Sequence, residues 1–306
     1  MVFIFSETPL KLSGRNAVTH NVSFKPKKIA IVGAGSFIAR SIADDFKDSK
    51  HIFEKYDRAS LDLKDLKSIK KAFEGKFYDL VIHCGMSGHG RLLNPDSPEN
   101  FYENVLMQEN LLFLHEHYKN IILFSSGAQN SRDVDVLNLK EGEFRDPPND
   151  FYSLAKFVNS KRSIGNNKVI NLRIFNVFGI LEKPDRFIKT NILKYIRKEN
   201  MEIWGDKMSD FFYVRDVSRV VEHFICNPTP TYSEINLVYE GKKLLLSQIA
   251  EKINETSTHK VELIIKNGVN RHYTGNGEVL PSLNLPLTGL DQGLREMYER
   301  LINEPI

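Results

Sequence analysis

KKIAIVGAGSFIARSIADDF, residues 27–46, passes from an apolar run through a glycine turn into an amphipathic repeat. The continuous apolar run Ile29–Val32 suits a parallel strand covered on both faces. Gly33-Ala34-Gly35-Ser36-Phe37-Ile38-Ala39 then joins strand to helix. At such a junction, main-chain amides and the positive end of a helix can close on a phosphate. Gly33, Gly35, Ser36, Phe37 and Ile38 are the candidate contacts. Ala39 is small enough for the helix to pack closely on the strand.

The same alternation continues outward. HIFEKY (51–56) reads as a second strand, and LKDLKSIKKAFEG (63–75) as a helix stopping at Gly75. DLVIHCG (79–85) is another buried strand. SPENFYENVLMQENLLFLHEHY (97–118) is a long helix with Ser97 and Pro98 as start signals, and NIILFSS (120–126) is a strand again. SRDVDVLNLKEGEFRDPPND (131–150) is polar and reads as loop, broken by Pro147-Pro148. FYSLAKFVNSKRSI (151–164) is helical, and KVINLRIFNVFG (168–179) reads as one strand. Strands alternating with helices predict an α/β fold with a doubly wound parallel sheet.

Beyond residue 180 the alternation weakens. Short strands (MEIW, INLVYE, KVELII) mix with helices, and LDQGLREMYERLI (290–302) closes the chain as an amphipathic helix. The expected organisation is an N-terminal extension (1–26), a dinucleotide-binding domain (27–180) and a smaller, partly interleaved substrate domain (181–306). In the extension, VFIF and AVTHNVSF read as two short strands or as a poorly ordered arm, with no assigned function.

Composition narrows the function. The 306 residues are 41% hydrophobic and 26% charged, as in an ordinary soluble globular protein. A formal charge of +3 makes no case for nucleic acid as a partner. No apolar run approaches the ~20 residues that span a bilayer, so no membrane role is expected. MVFIFSETPL is a poor signal peptide. Cys84 and Cys226 form neither a disulfide framework nor a metal-ligand spacing. A reducing, cytoplasmic setting and no metal are expected.

Tyr152 and Lys156, in YSLAK, lie one helical turn apart on one face. A free tyrosine titrates near ~10. A neighbouring ammonium favours the phenolate and eases proton exchange with a substrate oxygen at neutral pH. Ser125 and Ser126 end the preceding strand, where a hydroxyl can bond that same oxygen. Tyr239 and Lys243 repeat the spacing but straddle Gly241, so they read as a turn. Asp57 and Arg58 follow the second strand at the distance expected for the cofactor ribose. Asp57 suits the free hydroxyls of NAD, and Arg58 suits the extra phosphate of NADP. Asp62 and Asp65 read as an adenine-side loop or a helix cap.

In order along residues 27–300, these landmarks resemble the extended short-chain dehydrogenase/reductase superfamily of nucleotide-sugar epimerases, dehydratases and reductases. The resemblance is carried by the turn 33–39, SLDLKD (60–65), DLVIHCG (79–85) and ENVLMQENLL (103–112). FSSG (124–127), YSLAK (152–156), LRIFNVFG (172–179), DFFYVRDVSRVV (210–221) and INLVYEGKKLLLSQIAEKI (235–253) continue it. It implies a catalytic set of Ser126, Tyr152 and Lys156, with Ser125 as the fallback hydroxyl. It also implies cofactor contacts from Asp62, Leu63, Cys84, Gly85, Met86 and Lys156. Ser87 and Asn176 would face a nucleotide-sugar substrate.

NPDSPENFYENVLMQENLL and EIWGDKMSDFFYVRDV are most similar to GDP-fucose synthases, which favours NADP and reduction of a 4-keto sugar nucleotide. Three departures bear on that likeness. Ser209 stands where an arginine is usual, leaving Arg215 as the candidate diphosphate contact. The family's epimerising histidine has no counterpart beyond His89. Gly127 and Ala128 replace the Asp-Glu of dehydratases, which argues against dehydration. A 4-epimerase or C4 oxidase with tightly held NAD, and a non-catalytic nucleotide-binding protein, stay open as alternatives. The resemblance also implies a homodimer through helices near 98–118 and 150–164.

Overall fold

The structure is a computed structural model that describes residues 25–88, 96–131, 133–227 and 232–303. The strands expected near the N-terminus and the loop histidine His89 lie outside the described residues. The first half runs β1 (Lys28–Val32), α1 (Phe37–Asp45), β2 (Ile52–Tyr56), α2 (Leu66–Phe73), β3 (Tyr78–His83), α3 (Pro98–Phe113) and β4 (Tyr118–Ser126). It continues with β5 (Val136–Leu139), α4 (Phe151–Ser163), β6 (Val169–Ile174) and β7 (Val177–Phe178). The second half holds α5 (Phe187–Ile196), β8 (Met201–Trp204), β9 (Phe212–Tyr213), α6 (Val214–Cys226) and β10 (Glu234–Leu237). It ends with α7 (Leu246–Asn254), β11 (Leu263–Lys266), β12 (Tyr273–Gly275) and α8 (Gly289–Asn303).

Six strands form one parallel sheet in the order β10-β6-β4-β3-β1-β2. Alternate residues of a strand face opposite sides. In β1, Ile29 and Ile31 therefore join a core with Ile42 of α1, Ile192 of α5 and Val217 of α6. Ala30 and Val32 join the opposite core with Ile69 of α2 and Leu111 of α3. Both faces are covered, which is why β1 carries no polar residue after Lys28. The chain leaves β1 for β2 on one side and returns to β3 on the other. The crevice between the ends of β1 and β3 is thus the topological switch point, where open parallel sheets bind ligands.

Helix starts follow local chemistry. Ser36 caps α1, accepting from Ala39 N at 3.3 Å, and Ser97 caps α3 with Pro98 at its first position. Asp65 caps α2, accepting from Lys67 N at 2.9 Å, so of its two readings the cap is the one seen.

Two elements depart from the sequence reading, and a third crosses between the two halves. The polar stretch 131–150 is not all loop, because it holds β5, which pairs with β12 in a sheet of its own. Val136 and Leu139 are fully buried there, and Asn138 N donates to Thr274 Oγ1 at 2.9 Å. A strand whose partner lies over a hundred residues away leaves little local signal. The apolar run 168–179 is two strands rather than one. At Asn176, whose carbonyl accepts from Phe212 N at 2.8 Å, the chain leaves the large sheet and pairs β7 with β9. Finally, β10 returns from the second half of the chain to extend the large sheet beside β6.

Candidate active site

The glycine turn meets the end of β3 at contact distance. Gly33 has φ +76, and a Cβ there would lie 2.3 Å from Gly85 N and 2.4 Å from Gly85 Cα. Only glycine permits both the left-handed backbone and the approach. A Cβ on Gly35 would meet nothing within 4 Å, so that side of the turn faces open space. Behind it Ala39 is fully buried. Closed behind and open in front, with the N-terminus of α1 adjoining, the turn fits a dinucleotide's pyrophosphate. Phe37 and Ile38, the first residues of α1, stay half-buried.

Asp57 and Arg58 sit on the rim after β2. Asp57 Oδ1 accepts from Ser60 N at 2.9 Å and Ser60 Oγ at 2.8 Å, and these bonds hold its carboxyl below the usual range. Asp62 Oδ1 closes a turn with Lys64 N at 2.9 Å. Leu63 is buried, and its carbonyl accepts from Asn110 Nδ2 at 3.0 Å. A Cβ on Gly85 would lie 2.6 Å from the Leu63 side chain, so this loop packs directly on the end of β3. Met86 is half-buried beyond Gly85. Ser87 is tied to α3: its N–H donates to Asn104 Oδ1 at 3.0 Å and its hydroxyl to Glu103.

Ser125, Ser126 and Lys156 meet at the end of β4, and α4 carries Tyr152 one turn before the lysine. Asp150 caps α4, accepting from Ser153 N at 3.0 Å. The Asp96 carboxylate accepts from Phe151 N at 2.5 Å and Tyr152 N at 3.0 Å. These bonds fix the first turn of α4, which carries Tyr152. One turn later, Lys156 Nζ donates to Phe124 O at 2.7 Å, two residues before Ser126. Ser125 and Ser126 point to opposite faces of β4. Ser126 Oγ caps the turn Gly127–Asn130, accepting from Ala128 N at 3.2 Å, and lies 3.1 Å from the hydroxyl of Tyr273. Ser125 Oγ has no hydrogen-bond partner among the described residues and lines a polar cavity of about 10 Å³ with Gln108, Lys156, Asn159, Ser160 and Asn171. That volume is about one water molecule.

Lys156 joins the two halves of the site electrostatically. Burial, with the Lys156 charge second, pushes the His83 imidazole down to about 3. Burial pushes the Cys84 thiol up to about 12, against smaller opposing effects of the Ser36 hydroxyl and Lys156. At neutral pH neither residue supplies a charge. The Ser36 hydroxyl of the glycine turn and Cys84, which follows β3, are therefore neighbours, and the Lys156 charge of α4 reaches both Cys84 and His83.

Two predicted substrate contacts are placed differently. Asn176 spends its amide hydrogens on Ser209 Oγ at 3.0 Å and Asp210 O at 2.9 Å, clamping β7 to the segment before β9. Ser209 is itself buried. Arg215 also has partners within the chain. Its guanidinium pairs with Glu296 of α8 at 3.2 Å and acts on Asp45, at the far end of α1 from the glycine turn. Nothing in the sequence singles out Asp96 within NPDSPENFYENVLMQENLL, and Tyr273 lies in none of the quoted stretches.

Among the described residues, no helix is long and apolar enough to cross a membrane, and no group of three or more His, Cys, Asp or Glu could hold a metal ion.

Fold and site together define a dinucleotide-binding α/β protein with a tyrosine–lysine helix whose lysine is bonded to the end of β4. Residues 29–237 match the NAD dependent epimerase/dehydratase family model, and the chain belongs to that family of enzymes. It is similar in structure to a UDP-glucose 4-epimerase from Thermotoga maritima. The TM-score there is 0.77 and the identity 18%, covering 90% of this chain and 99% of the other. A GDP-L-fucose synthetase from Naegleria fowleri gives 0.73 and 16%, covering 91% and 94%. The GDP-mannoheptose C4 reductase of Campylobacter jejuni, with NADP bound, gives 0.70 and 18%, covering 90% and 98%. No curated protein sequence matches the chain.

Proposed function

We propose that this enzyme reduces a 4-keto sugar nucleotide, with hydride reaching C4 and Tyr152 protonating the oxygen. The observation that carries the reading is the Lys156–Phe124 bond of 2.7 Å, which holds an ammonium at the end of β4 one helical turn from Tyr152. Gly33, Gly35 and Ser36 would hold the cofactor pyrophosphate, and Lys156 the nicotinamide ribose. Bound there, a reduced nicotinamide supplies the hydride. Ser126 donates to the carbonyl oxygen as negative charge builds on it. Tyr152 passes its proton to that oxygen, Lys156 stabilises the phenolate left behind, and solvent restores the proton.

Two observations support the details. A side chain at Gly127 would run into Phe175 Cε1 at 2.5 Å and Tyr273 OH at 3.0 Å, leaving no room for the paired acids of a dehydratase. Asp57 is turned into its own Ser60 loop while Arg58 stays exposed on the rim, which favours NADPH over NADH. A cytoplasmic homodimer belongs to the same proposal. Both cysteines are free, and Tyr102 and Phe113 of α3 stand exposed.

The test is a spectrophotometric screen. NADPH or NADH is added with GDP-, dTDP-, UDP- and CDP-linked 4-keto sugars, using Tyr152→Phe as control. Consumption of reduced cofactor that falls at least ~100-fold in Tyr152→Phe supports the reading. No consumption, with NAD recovered from the denatured protein, would replace it with an epimerase or oxidase.

A further inference from the structure

We propose that Tyr273 is a positioning residue that commits the Ser126 hydroxyl to donating. The inference rests on the reductase reading above and adds a residue to it. A serine hydroxyl has one hydrogen and two lone pairs. At Ser126 the Ala128 N–H occupies one lone pair at 3.2 Å, and the Tyr273 hydroxyl stands 3.1 Å away. When Tyr273 donates onto the second lone pair, the serine can no longer accept from a ligand. Its hydrogen is all that remains to offer, and it goes to the substrate oxygen. That is the polarity carbonyl reduction needs, because negative charge builds on that oxygen in the transition state. A serine without Tyr273 could equally accept from a sugar hydroxyl, with its own hydrogen turned away.

Tyr273 is held for this task from several directions. Its N–H donates to Met208 O at 2.9 Å, and its carbonyl accepts from Asp210 N at 3.1 Å. Asp210 Oδ2 accepts from Gly275 N at 2.8 Å and Lys243 Nζ at 2.9 Å, securing the same strand. Asn176 anchors this clamp through Ser209 and Asp210. The Tyr273 ring rests on Phe175 with centroids 5.1 Å apart. Gly127 lets the hydroxyl through, since even a Cβ there would come within 3.0 Å of it. The far half of the chain thereby reaches the catalytic serine.

Tyr273→Phe keeps the ring on Phe175 and removes only the hydroxyl. In a cycle with Ser126→Ala, Tyr273→Phe alone should lower kcat roughly 10- to 100-fold, with KM and cofactor Kd changed less than ~3-fold. In the Ser126→Ala background the same change should cost less than ~2-fold, because the hydroxyl it positions is gone. Equal losses in both backgrounds, or a loss confined to KM, would overturn the proposal. A second arm needs no substrate. With ring-carbon-labelled tyrosine, the Tyr273 Cζ resonance should move on Ser126→Ala, and an unmoved resonance overturns the hydrogen bond. If the wild type reduces no keto sugar, the reductase reading fails on its own. The resonance then decides Tyr273: a shift sustains its hold on Ser126 for whatever carbonyl the site takes.

Discussion

Glu182 should make the protein lose stability as pH rises through neutrality, and Glu182→Gln should abolish that loss. The residue lies between β7 and α5, 5% exposed, with Oε1 lacking a hydrogen-bond partner among the described residues. Burial pushes its carboxyl up to about 8 from an ordinary 4.5, against the opposing charges of Arg186 and Lys189. The Lys189 ammonium donates instead to the carbonyls of Ile180 at 2.6 Å and Glu182 at 2.9 Å. Below about 8 the folded protein keeps the proton, whereas the unfolded chain releases it near 4.5. Between these values the folded state binds more protons, so stability falls as pH rises and levels off above the folded value. At ~1.4 kcal/mol per unit the full window is worth at most ~5 kcal/mol, and local relaxation around the carboxylate brings this to roughly 3 kcal/mol.

Urea unfolding of both proteins from about pH 5 to about pH 9 measures it, because all other titrating groups cancel in the comparison. The two should match near pH 5. By pH 8 the glutamine variant should lead by ~3 kcal/mol, a midpoint shift of ~1 M. A difference constant across pH, or a wild type that gains on the variant as pH rises, would refute the burial argument. The segment also lies over the first turns of α1, with Arg40 donating to Leu181 O at 3.4 Å. Cofactor affinity should therefore weaken over the same pH range in the wild type only.

Gly33→Ala should cost at least ~2 kcal/mol in denaturant unfolding and weaken cofactor binding ~10-fold or more, measured by fluorescence titration. Its Cβ would strike main-chain atoms of Gly85, which no rotamer change can clear. Asp216→Ala should lower the melting temperature by on the order of 10 °C. That carboxylate is fully buried and accepts from Arg219 at 2.8 Å, Thr288 N at 2.7 Å, Gly289 N at 2.9 Å and the Tyr239 hydroxyl, tying α6 to the start of α8. Arg58→Ala should raise KM for NADPH ~10-fold and leave NADH unchanged in steady-state assays. Equal effects on both cofactors would remove Arg58 from the phosphate site.

What the sequence made legible was local. Strand, turn and helix at 27–46 sit within one contiguous stretch, and each reports itself by apolar run, glycine spacing or capping serine. The YSLAK pair is legible because residues four apart on a helix share a face wherever the helix goes. Contacts between distant segments leave no such trace. Nothing around Val136 announces β12, and nothing in RHYTG shows that Tyr273 ends 3.1 Å from Ser126. Arg215 lies within DFFYVRDVSRVV, where the resemblance implies a diphosphate contact, but its direction depends on the partners that α1 and α8 present to it. Ser209 reads as a missing cation and is a buried anchor for Asn176. In each case, the missing information is a partner contributed by another part of the chain.

Hydride transfer to C4 is traced directly by cofactor deuterated at its transferable position. The reaction is run with the keto sugar that the screen identifies, and the product is read by NMR. One deuterium on C4 of the hexose is expected, matched to cofactor consumed, with labelled product and cofactor consumption falling together at least ~100-fold in Tyr152→Phe. Cofactor consumed with no deuterium on C4 would contradict it, and interconversion of C4-hydroxyl sugar nucleotides without cofactor consumption, assayed alongside, would make the enzyme an epimerase.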